Sequence, residues 1–270
     1  MPDYSLDSAA SDVLVERKGT TAYLRLNRPE VGNAVGPATM KRLCEALDEV
    51  IDDSGVRAIV LGHNGKHFLA GADFAFLKAL TSTAAVDVKR DIYRYFQGAA
   101  RRLHLCPKPT VAAVGGSAIT VGCELALACD FRVVTPEAVF QQSWIRVGLL
   151  PPLGGMKLLP AMVGYGLAKE MILRARAIRG EEALRVGLAT ELVAQPELEA
   201  RAFALAEELG AMAPLAYAAA KEELRRGLDV SLEDSWAGSL QAQTLLIGSQ
   251  DFREGFAAVS ERRPAAFVGR

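Results

Sequence analysis

Residues 108–130 read KPTVAAVGGSAITVGCELALACD, and how this stretch is parsed decides the fold. Thr110-Val111-Ala112-Ala113-Val114 is a charge-free, β-prone run, the pattern of a short buried strand. Gly115 and Gly116 follow, where the backbone can turn sharply or approach a ligand closely. Gly122 then opens an Ala/Leu run whose spacing reads as a buried helix, with Glu124 in its first turn. The free N–H groups of a first turn carry partial positive charge and can hold a developing oxyanion. A carboxylate beside such donors, flanked by apolar residues, can act as an acid or a base. It can equally do no more than complement the helix dipole.

Working outward, the upstream half repeats a strand–glycine–helix pattern. Val13–Val15 and Ala22–Leu26 read as two strands joined by the turn Lys18-Gly19-Thr20. Pro37–Asp52 places Met40, Leu43, Leu47 and Val50 at helical spacing, Ala58–Leu61 is a buried strand, and Gly62-His63-Asn64-Gly65 is a turn. Phe68-Leu69-Ala70-Gly71-Ala72-Asp73 leads into the apolar run 74–80, with Asp73 placed to cap it. Asp87–Leu105 is one further helix, stopped by Pro107 and Pro109.

Downstream, Phe131–Val134 and Val139–Gln141 are short strands, and Gly148–Gly155 (GLLPPLGG) is a rigid loop. Beyond it, Met156–Met162, Leu167–Leu173 and Gly180–Val186 are helical and Glu191–Val193 is a strand. Helices then alone remain: Pro196–Leu209, Pro214–Arg226, Ser231–Ile247 and Asp251–Glu261. The parse is therefore a flexible leader at 1–12, an α/β core at 13–195 and a helical region at 196–270.

The 270 residues suffice for a full core. Half are hydrophobic, 23% are charged, and the formal net charge is -1, which argues against a nucleic-acid surface and against disorder. No apolar stretch reaches membrane length, and the acidic, polar start has no secretory character. The four cysteines lack metal-type spacing and read as reduced thiols of a cytoplasmic protein. His63 and His67 fall around a turn and read as ordinary loop histidines rather than a zinc pair.

Four stretches in this order resemble the crotonase (enoyl-CoA hydratase/isomerase) superfamily. They are LNRP…NA at Leu26–Ala34, FLAGAD at Phe68–Asp73, GGSAITVGCELALACD at Gly115–Asp130, and REGFAAVSERRPAAF at Arg253–Phe267. The resemblance implies an α/β fold, a crotonase-like spiral of ββα units with a C-terminal helical trimerisation region. It implies a homotrimer, commonly paired into a hexamer, and an acyl-CoA substrate, with coenzyme A entering as part of that substrate and no separate cofactor. Transferred residue by residue, the thioester oxygen would lie between the N–H groups of Ala72 and Val121, with Glu124 as acid/base. Contacts to the coenzyme would come from Arg28, Asn33, Ala34, Ala70, Gly71 and Arg262.

Two departures stand out. Hydratases of this family carry a second glutamate in a segment of the form FxQPE, and here Phe140-Gln141-Gln142-Ser143-Trp144 puts Trp144 in its place. Indole is donor-only and does not titrate, so it cannot activate water, and its bulk would fill part of the acyl pocket. The family's three glycines before CEL are here Thr120-Val121-Gly122, which narrows the approach to the backbone. Three readings follow: a hydratase working with Glu124 alone, another enolate-forming reaction such as isomerisation or hydrolysis, or a protein that binds acyl-CoA without turning it over.

Overall fold

The computed structural model describes residues 11–270, so most of the leader expected at 1–12 lies outside the described residues. Asp12 itself is tied down: its carbonyl accepts from Asn27 N at 2.8 Å and its carboxylate from the Thr39 hydroxyl at 2.5 Å.

β1 (Val13–Lys18) and β2 (Thr21–Leu26) form the antiparallel hairpin, and α1 (Pro37–Asp52) starts on a proline at its first position. β3 (Ala58–His63) follows, then α2 (Phe74–Leu80), capped by Asp73 through Ala75 N at 2.8 Å. The expected single helix over 87–105 is instead a short turn α3 (Ala85–Asp87), a π-helical segment Val88–Ile92, and α4 (Tyr93–Leu105). A π segment slips one residue into the helical ladder while the residues on either side keep helical spacing, so periodicity does not expose it.

The central stretch folds as β4 (Thr110–Val114), β5 (Ser117–Ile119) and α5 (Val121–Ala128). β6 (Phe131–Val134), β7 (Val139–Gln141), α6 (Gly155–Leu173), β8 (Ile178–Arg179), α7 (Gly180–Arg185) and β9 (Glu191–Leu192) complete this part. α6 is two arms meeting at Gly164 (φ 77°), which is why the sequence reads as two helices there. β5 and β8, three and two residues long, are too short to show any alternation and were not legible in the sequence. α8 (Leu198–Gly210), α9 (Pro214–Gly227), α10 (Leu232–Ile247) and α11 (Gln250–Glu261) end the chain.

Six strands form the main sheet in the order β1-β2-β3-β4-β6-β9, parallel except for the first pair, and β5-β7-β8 form a smaller one. The charge-free runs make sense here, because the main sheet is covered on both faces. Ala58, Val60, Val111 and Ala113 face α8 through Leu198, Ala202 and Leu205. The alternate residues Ile59, Leu61, Ala112 and Val114 enter the larger core with α1, α4 and α5.

Candidate active site

Two backbone segments lie side by side at the start of α5. Leu69 bridges Ala118: its N–H donates to Ser117 O and its C=O accepts from Ile119 N, both at 2.9 Å. Three residues on, Val35 N donates to Gly71 O at 3.0 Å and Asp73 N donates to Val35 O at 2.8 Å. That bridge takes the Gly71 carbonyl and the Asp73 N–H, so alternation turns the Ala72 N–H to the opposite edge. On the neighbouring segment Thr120 N donates to Gln141 O, and Thr120 O accepts from Glu124 N at 3.0 Å. Val121 is the first residue of α5, where an N–H has no acceptor within the helix.

Glycine is required at two points of this contact. A Cβ on Gly122 would sit 2.4 Å from Leu69 O, and one on Gly71 (φ 123°) would sit 2.9 Å from Thr120 Oγ1. Thr120 carries the strain of the turn, with φ 49° and ψ −105°, a conformation β-branched residues avoid. Thr120→Gly is therefore expected to raise stability by about 1 kcal/mol, the relieved strain exceeding the extra chain entropy of glycine. Thermal unfolding reads this as a rise in midpoint of roughly 2 °C; a fall would show that the Thr120 side chain contributes more than its backbone costs.

Glu124 is wholly buried. Its Oε1 accepts from Leu153 N and Gly155 N, both at 2.8 Å, while Oε2 has no protein partner. Burial pushes its pKa up from 4.5 to about 7; the two N–H donors pull the other way, and the Trp144 indole N–H least. That indole nitrogen faces the carboxyl without reaching hydrogen-bond geometry, and it too is buried without a partner. Gln142, fully buried, leaves both ends of its amide unpaired in the same corner: a Cβ on Gly155 would lie 2.9 Å from Glu124 Oε1 and 3.1 Å from Gln142 Nε2. A free carboxylate oxygen, an indole donor and a primary amide thus converge in an otherwise apolar pocket.

The structure brings Ala70, Gly71, Ala72, Val121, Glu124 and Trp144 into one neighbourhood. The first motif is attached to it through Val35, but its side chains are spent internally. Asn33 accepts from Arg28 N at 2.7 Å and donates to Asn64 O and His67 O, and the backbone is tied down as well, with Asn33 N donating to Arg28 O at 2.8 Å and Ala34 N to Val31 O at 3.2 Å. The Arg28 guanidinium donates to Ala34 O at 2.6 Å and stands near Asp12 and Asp73. Arg262 caps the far end of α11 and shares no contact with the Glu124 cluster.

Among the aromatic residues near these elements, Phe76 and Phe96 stack on each other in the core at 5.4 Å, whereas Phe74 is 81% exposed. Sequence reasoning missed Gln142 and the carboxylate-holding N–H groups of Leu153 and Gly155; the paired glycines of the 148–155 loop were the available signal. It also placed His63 in a turn, whereas His63 ends β3. His63 Nε2 and His67 Nδ1 accept from Gly115 N at 3.1 Å and Ser117 N at 3.2 Å, holding the double-glycine turn. Among the described residues no group of three or more His, Cys, Asp or Glu could hold a metal.

Residues 16–270 match the family described as Enoyl-CoA hydratase/isomerase. The chain belongs to that family. A crotonyl-CoA hydratase of Syntrophomonas wolfei is 32% identical, over 97% of this chain and 100% of the relative. A 2,3-dehydroadipyl-CoA hydratase of Escherichia coli is 33% identical, over 96% and 100%. The fold of an enoyl-CoA hydratase from Mycobacterium tuberculosis superposes with a TM-score of 0.86 at 32% identity, covering 96% of this chain and 100% of that one. As a member of the hydratase/isomerase family the chain has the crotonase fold expected from its four motifs, with the C-terminal helices in place.

Proposed function

We propose that the protein acts on an enoyl-CoA thioester, with the carbonyl oxygen held by Ala72 N–H and Val121 N–H and with Glu124, alone among the described residues, as the carboxylate at the reacting carbons. What carries the reading is Glu124 itself: buried beside the two donor segments, with one oxygen pinned, the other free, and a pKa near the pH at which proton transfer is most effective.

In hydration, ionised Glu124 takes a proton from water through Oε2 while the water oxygen bonds to C3. The C2=C3 electron pair moves onto the thioester oxygen, where the two N–H groups hold the enolate. Neutral Glu124 then returns the proton to C2. Each N–H at such an oxyanion is worth about 10²–10³ in rate.

A second reading rests on Trp144. With an indole buried where a second glutamate stands in hydratases of the family, the same pocket can run enolate chemistry without water, Glu124 carrying one proton between carbons of the acyl chain. Two assays together separate these readings. In heavy water, butyryl-CoA is expected to gain deuterium at C2, read by mass spectrometry, and Glu124→Gln is expected to reduce this to background. Crotonyl-CoA followed by loss of its conjugated absorbance reports hydration. Exchange with hydration supports the first reading, and exchange alone the second. Binding with neither leaves an acyl-CoA binding protein. Trp144→Glu is expected to increase hydration by supplying the second carboxylate.

The assembly belongs to the same reading. α9 to α11 present Leu224, Trp236, Leu240, Phe256 and Val259 to solvent, each more than 60% exposed. We assign this face to a homotrimer or a pair of trimers; light scattering should then give three or six times the 28.9 kDa chain. Among the described residues no helix is long and apolar enough to cross a membrane, and a cytoplasmic location fits that reading.

A further inference from the structure

A cleft of about 620 Å³ opens beside the Glu124 pocket, between α4 and the 149–152 loop. Its two walls differ in chemistry. One is apolar, formed by Leu149, Leu150 and Pro152. The other is α4 and the segment before it, which contribute Lys89, Arg94 and Arg101. Tyr93, Gln97 and Arg101 follow at four-residue intervals and so share one helix face, each about 6 Å beyond the last.

The walls are joined at the inner end, where Gln97 Nε2 donates to Pro152 O at 2.8 Å. The next residue, Leu153, gives its N–H to Glu124. Tyr93, at the cleft's inner end, senses that carboxyl: burial first and the Glu124 charge second keep its proton on above the ordinary phenol range. The cleft is therefore joined, through Pro152 and Leu153, to the loop that holds Glu124, and runs along α4.

Its charge is one-sided. Among the described residues no carboxylate lines it and Lys89, Arg94 and Arg101 have no acidic partner, whereas Arg102, Arg174 and Arg201 are each paired with one. Arg94 and Arg101, with no acidic partner among the described residues, lie along an apolar wall that Pro152 and Leu153 connect to Glu124, and match a ligand with a short methylene chain and an anionic end.

We propose that this cleft receives an anionic group at the far end of the acyl chain, so that the preferred thioester carries a second, ω-terminal carboxylate. The inference rests on the acyl-CoA reading of the Glu124 pocket and names its substrate class.

The test compares two saturated thioesters that share the same coenzyme, adipyl-CoA and butyryl-CoA, by calorimetry on the full chain. Wild type is expected to bind adipyl-CoA about tenfold more tightly, the value of one charge-assisted pair in a partly dried cleft. The Arg94→Gln/Arg101→Gln variant should lose that ratio while keeping its affinity for butyryl-CoA, which also shows that it is folded. Added salt should shrink the ratio in wild type. Equal affinities in wild type overturn the inference. So does an equal loss for both thioesters in the variant, because the arginines would then serve the phosphates of the coenzyme. Failure of both thioesters to bind wild type is a different result: it removes the acyl-CoA reading, and this inference with it.

Discussion

Glu124→Gln is expected to lower turnover of an enoyl-CoA by about 10²–10⁴, the range of a positioned acid/base group, while making the protein more stable at alkaline pH. The two effects have one cause. The pocket removes water from a carboxyl and returns only two N–H donors to one of its oxygens, so the charged form is disfavoured and the pKa rises from 4.5 to about 7. A carboxyl raised in the folded state binds its proton more tightly there than in the unfolded chain. Stability is therefore greatest below pH 4.5 and declines between 4.5 and about 7, as the unfolded chain releases a proton that the folded one retains. Above that window the folded protein carries the full cost, of order 3 kcal/mol.

Glutamine keeps an oxygen for Leu153 N and Gly155 N and removes the charge. Its amide would place a donor opposite the Trp144 N–H, which takes back part of the gain, so a net 1–3 kcal/mol above about pH 8 is expected. Thermal unfolding at pH 8.5 should show a midpoint raised by roughly 2–6 °C, and at pH 5 the difference should nearly vanish. For wild type, kcat/KM should climb with pH and level off above about 7, as the base form fills. A flat profile together with an unaltered midpoint would remove Glu124 from the chemistry.

Much of this site was legible before any coordinates, and the reasons are local. Thr110–Val114 could be read as a doubly covered strand because it holds no charge over its full length. Asp73 could be read as a cap because a short acid preceded an apolar run. Glu124 stood out as the one acid in an Ala/Leu segment.

What escaped was of two physical kinds. Backbone donors have no sequence signature of their own: the paired glycines of the 148–155 loop mark a turn, but they do not say that the N–H groups of Leu153 and Gly155 point toward a carboxylate 29 and 31 positions earlier. Very short pairings such as Leu69 with Ala118, or β8 with β7, are fixed by tertiary approach rather than by local preference. The cationic side of the 149–152 cleft belongs to the same kind. Lys89, Arg94 and Arg101 look like an ordinary solvated helix face until the leucine loop is laid across from them.

The glycine between the two donor segments offers the sharpest test of how the site is built. Gly122 is the second residue of α5 and its φ is not positive, so alanine there is conformationally allowed and, on helix preference alone, should stabilise by up to about 1 kcal/mol. Its Cβ, however, would fall 2.4 Å from the Leu69 carbonyl oxygen and 2.9 Å from the Leu69 Cβ. One of these is backbone already committed to a hydrogen bond with Ile119 N, and cannot swing aside as a side-chain tip would.

Relief requires α5 to move away from the Phe68–Asp73 segment, which separates the N–H of Val121 from that of Ala72. Gly122→Ala is accordingly expected to lose about 10²–10³ in kcat/KM, the value of one oxyanion donor, and about 1–3 kcal/mol of stability. Gly166→Ala in α6 is the matched control: it meets nothing within 4 Å and should be neutral or mildly stabilising. If Gly122→Ala lowered the unfolding midpoint but left kcat/KM intact, the spacing of these two segments would not set the rate, and the thioester oxygen would have to be held elsewhere in the pocket.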